Sequence, residues 1–286
     1  MSVIILTRDE ERDVGRCLAS TRWAEQVVVV DSGSSDDTVA IAARAGAEVV
    51  RQPWLGFSGQ RDFAMNLAQL RHDWVYFVDA DQWVSPELAA EIADRLRDPG
   101  CAGFSQRRRL VFQGTWMRHS GWYSGSWVVQ LMDRRRASWD GSVVGERARV
   151  SGPVRRLRHD LVDEDSKGLP DWLRKHITYA QLEARHRARQ PSLGGRARAL
   201  ASRQAGGPLV RTVLKDVVFP SVPAKPLALF LYMYVLRLGF LDGRAGWRFC
   251  CLHAWVEAIT NQFREHPPPV SSPAAAREAP RAHATR

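Results

Sequence analysis

Lysine is nearly missing from this chain. Of its 41 basic residues, only Lys167, Lys175, Lys215 and Lys225 are not arginine, in a sequence of 286 residues. Cysteine is sparse too. Cys17, Cys101, Cys250 and Cys251 show no Cys-x-x-Cys spacing, which excludes a disulfide framework and points to a reducing, cytoplasmic compartment. No stretch reaches the roughly 18 consecutive apolar residues of a membrane span. The opening run Ser2–Leu6 is too short for a secretory h-region and lacks a basic segment before it. Neither Gly-x-x-x-x-Gly-Lys-Ser/Thr nor Gly-x-Gly-x-x-Gly occurs, which disfavours Walker-type ATP hydrolysis and standard dinucleotide binding.

What is present is unevenly placed. Residues 1–100 hold 10 basic and 17 acidic groups, while residues 101–286 hold 31 and 14. A net charge of −7 therefore precedes one of +17. Such a split suggests two jobs, one of them facing a polyanion or an anionic membrane. Hydrophobic residues at 45% and charged residues at 25% are ordinary for a globular chain with an ample core.

The first hundred residues alternate between two patterns. Val3–Leu6, Gln26–Val30, Glu48–Arg51 and Trp74–Val78 are short runs rich in β-branched or aromatic residues. Helical stretches lie between them, near Glu10–Ala19, Asp36–Ala45 and Ser58–Leu70, the second opening on the N-cap cluster Ser34-Ser35-Asp36. This order predicts a parallel α/β sheet covered on both faces, with ligands bound beyond the carboxyl ends of its strands. Further on, strands are expected near Ala102–Arg108, Val128–Met132 and Arg147–Val150, and a helix over Asp171–Arg189. The glycines at 194–195 and 206–207 read as a linker, which sets a domain over 1–205. Residues 206–265 form an apolar and amphipathic helical extension suited to lying in a membrane interface. The Pro/Ala/Arg-rich tail over 266–286 reads as disordered.

Two strand ends carry candidate chemistry. In Val75-Tyr76-Phe77-Val78-Asp79-Ala80-Asp81, two carboxylates follow a hydrophobic strand directly. Carboxylates placed there suit a hard divalent ion, Mg²⁺ or Mn²⁺, that also bridges substrate phosphates. The pair also fits a helix N-cap, since Ser85-Pro86-Glu87 opens a helix soon after. At the second strand end, Asp31 is placed to accept hydrogen bonds from a ribose or base, or to hold a capped turn.

These blocks together resemble family 2 glycosyltransferases of the GT-A fold, most of all the bacterial enzymes that build the lipopolysaccharide inner core. The opening strand with Thr7-Arg8-Asp9-Glu10-Glu11, the Val28–Asp36 block, Arg51-Gln52-Pro53-Trp54-Leu55-Gly56-Phe57-Ser58-Gly59-Gln60-Arg61, Asp79-Ala80-Asp81 and Arg237–Gly243 resemble that family's motifs in order. The resemblance covers residues 1 to about 263. It implies a GT-A sheet with a nucleotide-sugar half over 1–100 and an acceptor half over 101–205. It places Thr7, Asp9, Glu10, Asp31, Arg61 and Asp79 on the donor's base and ribose, and Asp79 and Asp81 at a metal on its pyrophosphate. It further implies inverting transfer by a carboxylate base, which falls on Glu146 in Val143-Val144-Gly145-Glu146. The implied partners are a nucleotide-diphosphate sugar, a phosphorylated glycolipid and the cytoplasmic face of the inner membrane.

The sequence departs from the family pattern in its middle. Gly145 replaces a histidine, Ser126 and Gln130 replace an Asp and an Arg, and Asp9 and Asp62 replace asparagines. A Leu-x-His segment becomes Leu161-Val162-Asp163, and Asp163 remains able to act as a third ligand for Mg²⁺ or Mn²⁺. A degenerate, non-catalytic relative that binds nucleotide or membrane is the alternative. The arginine clusters at 107–109, 134–136 and 155–158 fit solvated surface, a phosphate-rich acceptor or an anionic bilayer. No nucleic-acid-binding motif accompanies them. Trp116, Trp122, Trp127 and Trp139 fit core packing or a sugar-stacking groove.

Overall fold

The computed structural model describes residues 1–141, 147–189 and 224–267. Four parallel strands form one side of its main sheet: β1 (Ser2–Thr7), β2 (Gln26–Asp31), β3 (Glu48–Arg51) and β4 (Trp74–Asp79). Helices α1 (Val14–Ser20), α2 (Thr38–Arg44) and α3 (Phe57–Met65) make the connections. The continuous apolar strands follow from burial on both faces. Along β4, Tyr76 and Val78 join one core with Val3, Ile5, Leu88 and Ile92. Val75 and Phe77 join another with Ile4, Val30, Met65 and Trp139.

The sheet continues through antiparallel and mixed strands. Its order is β3-β2-β1-β4-β8-β6-β12-β5, where β5 is Gln82–Trp83, β6 Gly103–Phe112, β8 Trp127–Asp133 and β12 Leu161–Asp163. Short strands β7 (Thr115–Trp116) and β11 (Val154–Arg156) pair with β6, and β9 (Ala137–Trp139) pairs with β10 (Ala148–Val150). This mixed sheet flanked by helices is the GT-A-type α/β fold that the resemblance implies. The small step from β4 to β5 matters most. β5 turns away to pair with β12 in a register that sets Asp163 opposite Gln82, so Asp81 sits in the turn between the two sheet regions.

Two capping expectations resolve differently. Helix α4 (Pro86–Arg95) is capped by Ser85, whose hydroxyl accepts from Leu88 N at 3.2 Å, so Asp79 and Asp81 have no capping duty. Helix α2 has no side-chain bond from its N-cap residue, Asp37. Asp36 instead accepts from Thr38 N at 3.1 Å, while Ser34 and Ser35 bind Asp31 and Asp9. The serine cluster ties two loops together because the β1 and β2 turns lie side by side, a tertiary contact that competes with local capping.

Helix α5 (Trp122–Gly125) leads into β8, and α6 (Leu169–Arg189) runs back along the molecule. Helix α7 (Lys225–Leu231) continues as a π-helical turn to Leu236, and α8 (Gly243–Glu265) follows at a bend of 74°. The bend needs glycine. A Cβ on Gly246 would lie 2.2 Å from Gly239 O, and one on Gly239 would lie 2.7 Å from Met233 O. Glu257 of α8 is ion-paired to Arg187 of α6 at 2.7 Å and to Lys225 of α7 at 2.5 Å. A third core of Phe112, Met117, Met233, Phe249 and Cys250 joins the β6–β7 hairpin to these helices. The linker glycines at 194–195 and 206–207, the boundary at 205/206 and the tail from 268 lie outside the described residues.

His253 sits in this interface, 4.1 Å from Phe249 and 5.1 Å from Trp122 between ring centroids. Its Nδ1 donates to Phe249 O at 3.0 Å. Burial pushes its pKa down to about 4, with the nearby His176 adding to the effect. The folded state therefore keeps His253 neutral where the unfolded chain protonates it. Its contribution is complete above pH about 6.5 and fades as pH falls toward about 4. His253→Phe should flatten the fall in melting temperature between pH 7.5 and pH 4.5, by the equivalent of about 2 kcal/mol. Thermal unfolding across that range checks it, and an unchanged slope would assign the acid sensitivity elsewhere.

Candidate active site

The site lies at the carboxyl edge of β1, β2, β4 and β12. Asp31 ends β2 opposite Thr7, the last residue of β1. Its carboxylate is buried and occupied. Oδ1 accepts from Thr7 Oγ1 at 3.0 Å and from Ser34 Oγ, and Oδ2 accepts from Gly33 N and Ser34 N at 2.9 Å each. Gly33 supplies the φ of +91° that this turn requires. Asp9 adopts a left-handed φ of +51°, a conformation that Asn and Asp tolerate best among non-glycine residues. Its Oδ1 accepts from Ser35 N at 2.7 Å, and its own N–H donates to Ser34 Oγ at 2.8 Å. Thr7, Asp9 and Asp31 thus shape the floor under the two loops.

Four carboxylates converge above that floor, each beside a cation. Asp79 ends β4 and pairs with Arg61 of α3 at 2.8 Å. The Arg61 guanidinium also lies 5.0 Å from the Trp139 ring and 5.6 Å from Phe77. Asp81 pairs with Lys175 of α6 at 3.4 Å. Burial would raise the Asp81 carboxyl, but the Lys175 and Lys167 ammonium groups outweigh it and hold it below its ordinary value. Asp163 ends β12 and faces Arg108 of β6 at 3.4 Å. Burial and the neighbouring Asp81 charge push its pKa up to about 6 against the pull of Arg108. Glu10 pairs with Lys167 at 2.6 Å. Its pKa is raised to about 7 by burial, with Asp81 adding and Lys167 opposing. Its Oε2 is buried without a hydrogen-bond partner.

Residues to which the sequence assigns no role at the site hold this arrangement together. Gln82 accepts from Asp79 N at 3.0 Å and donates to Asp163 at 3.2 Å. Gln130 donates to Gln82 at 3.1 Å, and Gln106 bonds both Gln130 and Tyr76. The family's arginine position is thus a buried amide in this chain, part of a glutamine relay beneath the carboxylates. Arg16 clamps Glu164 at 2.6 Å, and Glu164 N donates to Asp81 O at 2.9 Å. Cys17 lies under Asp79, its thiol pushed well up by burial and by the Asp81 and Asp79 charges. It is therefore held as an unreactive thiol. Glu146 lies outside the described residues.

The donor set can be tested against a divalent ion. Among the described residues, no group of three or more His, Cys, Asp or Glu side chains is arranged as an ion cage. Asp79, Asp81 and Asp163 share the edge but do not form a three-ligand pocket there. What they offer is two mutually repelling carboxylates, Asp81 and Asp163, one of them raised by the other's charge. That fits Mg²⁺ or Mn²⁺ held by one or two carboxylates, with phosphate oxygens supplying further ligands.

The acids thus gather where a Rossmann-like parallel half meets a second, mixed half of one sheet. The sequence profile described as Glycosyl transferase family 2 matches residues 2–156, and the chain belongs to that family. An uncharacterized glycosyltransferase of Rickettsia conorii is 47% identical over 114 residues, which cover 40% of this chain and 38% of that protein. A lipopolysaccharide core biosynthesis glycosyltransferase of Rhizobium meliloti is 36% identical over 101 residues, 34% of this chain and 37% of that one. Each match thus spans well under half of the relative's length. Among solved structures, glucosyl-3-phosphoglycerate synthase of Mycobacterium tuberculosis, crystallised with Mn²⁺, UDP and glucosyl-3-phosphoglycerate, is 24% identical over 38% of this chain and 43% of that one, with a TM-score of 0.34.

Asp31→Ala should be among the most damaging substitutions at the site for folding. It strips Gly33 N, Ser34 N, Ser34 Oγ and Thr7 Oγ1 of their common acceptor. A loss of about 2–4 kcal/mol in urea denaturation is expected, because several buried donors lose a charged acceptor at once. A loss below about 0.5 kcal/mol would show that the turn holds without it.

Proposed function

We propose that the protein is an inverting, metal-dependent glycosyltransferase that moves a hexosyl or heptosyl unit from a nucleoside-diphosphate sugar to a cell-envelope glycolipid of the lipopolysaccharide-core type. The observation that carries this reading is the meeting of Glu10, Asp79, Asp81 and Asp163 at one sheet edge in a chain of this family.

Thr7, Asp9, Glu10, Asp31, Arg61 and Asp79 line or support the donor's base and ribose. Asp81, with either Asp163 or Asp79 beside it, would hold the ion through one or two carboxylates. When bound, Mg²⁺ or Mn²⁺ offsets charge on the departing diphosphate. Glu146 takes the proton from the acceptor hydroxyl as its oxygen bonds to the anomeric carbon. The bond from that carbon to the diphosphate oxygen breaks on the opposite face, which inverts the configuration. Glu146→Gln is expected to leave nucleotide affinity within about threefold and to cut transfer by a factor of about 10³. Full turnover by that variant would move the base elsewhere.

The acceptor side is read from charge and exposed apolar area. Ten large hydrophobic side chains between Leu227 and Trp255 are exposed, Leu236 the most at 73%. They include Leu238, Phe240, Leu241 and Trp247, with Arg237, Arg244 and Arg248 interspersed. No single helix among the described residues is long and apolar enough to cross a membrane, although the bent pair Lys225–Leu236 and Gly239–Glu265 passes that test together. The Glu257 ion pairs hold α8 against α6, which favours a helix pair lying on the surface. Peripheral attachment to the cytoplasmic face of the inner membrane is the reading this supports. Replacing Leu236, Phe240 and Leu241 together by serine should abolish sedimentation with phosphatidylglycerol vesicles while the melting temperature holds. Undiminished sedimentation would remove the patch from the membrane contact.

A further inference from the structure

Lysine is rare in this chain, yet two of its four lysines end on the acidic edge. Elsewhere near the site, arginine holds the carboxylates: Arg61 on Asp79, Arg108 on Asp163, Arg16 on Glu164. Arginine suits permanent pairing because its planar fork can bind a carboxylate through two donors. Lysine presents a compact point charge on a flexible stem.

The two lysines differ in how fully they are engaged. Lys167 is 2.6 Å from Glu10 Oε1, a close dedicated pair. Lys175 Nζ is split between Asp81 Oδ2 at 3.4 Å and Asp165 Oδ2 at 3.7 Å, with its side chain 41% exposed. Its one hydrogen bond of the two, to Asp81, is long. Asp81 is also the carboxylate that the proposed function assigns to the divalent ion. An ammonium and a divalent ion at one carboxylate repel each other, so ion binding weakens the hold of Lys175 on Asp81. The anion that comes with the ion in the proposed reaction is the donor's diphosphate, and a half-buried ammonium beside Asp81 is placed to meet it.

We propose that Lys175 is an exchangeable cation: it neutralises Asp81 while no ion is bound, and it binds the diphosphate of the donor once one is. The proposal rests on the donor-site reading given above. It makes the positive charge at the diphosphate a joint property of the ion and of α6.

The test is calorimetry on the full chain, with Mn²⁺ alone and then with UDP, GDP or ADP, whichever the wild type binds in saturating Mn²⁺. Lys175→Met should bind Mn²⁺ alone at least tenfold more tightly, because the competing ammonium is gone. It should bind the nucleoside diphosphate at least tenfold more weakly. Lys175→Arg should bind Mn²⁺ alone more weakly than the wild type, because a guanidinium can hold Asp81 through two donors. The opposed signs are the signature, since a merely structural lysine would weaken both ligands together or neither. Tighter Mn²⁺ binding with unchanged nucleotide affinity would overturn the diphosphate role. Weaker nucleotide binding with unchanged Mn²⁺ affinity would overturn the exchange. If Lys175→Met fails to fold, the Arg variant decides, and unchanged Mn²⁺ affinity there overturns the proposal. A wild type that binds no nucleoside diphosphate with Mn²⁺ would overturn the donor-site reading itself and the proposal with it. A wild type that binds while the variants match it would overturn the proposal alone.

Discussion

Carboxylates crowded at one sheet edge repel one another, and burial makes the repulsion worse. The rest of the site follows from how this chain manages that cost. Each acid is met by a cation from a different element: Arg61 from α3, Arg108 from β6, Lys175 from α6, and Lys167 from the turn before α6. Burial, with the Asp81 charge adding to it, still leaves Asp163 and Glu10 raised to about 6 and about 7. A further cation at this edge would favour their ionised forms. A fully neutralised edge would have no electrostatic reason to bind one.

Beneath the acids, polar networks set their positions. The turn around Asp31 is closed by backbone N–H groups and hydroxyls rather than by cations, so its geometry is fixed by hydrogen-bond directions. The Gln82–Gln130–Gln106–Tyr76 relay does the same between β5, β8, β6 and β4. Each amide is both donor and acceptor, which lets one side chain bind the backbone of Asp79 and the carboxylate of Asp163 at once. Precision at the edge thus comes from neutral groups, and charge tolerance from the arginines and lysines around it.

Much of this was legible in the sequence. The four parallel strands were visible as apolar runs, because burial on both faces demands them. Asp79 and Asp81 stood out because they follow such a run directly. Asp163 was reachable only through resemblance, since a three-residue strand gives no periodicity of its own. Gln82, Arg108, Lys167 and Lys175 were not legible. Their partners lie far off in sequence, 94 residues from Lys175 to Asp81, and a single polar residue announces no such contact. Ser34 and Ser35 were legible as turn formers but not in their partners, because local capping and tertiary bonding ask for the same residue types. Gln130 read as a departure from the family, and only the relay gives it a positive role.

The β5–β12 pairing and the α6 lysines have a consequence for the order in which the chain becomes complete. Asp79 and Asp81 are in place early along the sequence, yet Glu164 reaches Arg16 across 148 residues. Loops of that size cost closure entropy before any contact repays it. The family match ends at residue 156, so the stretch shared with relatives contributes three of the acids and stops short of Asp163, Lys167 and Lys175. A nascent chain that has reached only the end of β12 carries all four acids but not the ammonium groups beside Glu10 and Asp81. In this protein the acidic edge is therefore finished from its far side, after the recognisable family segment has already been made.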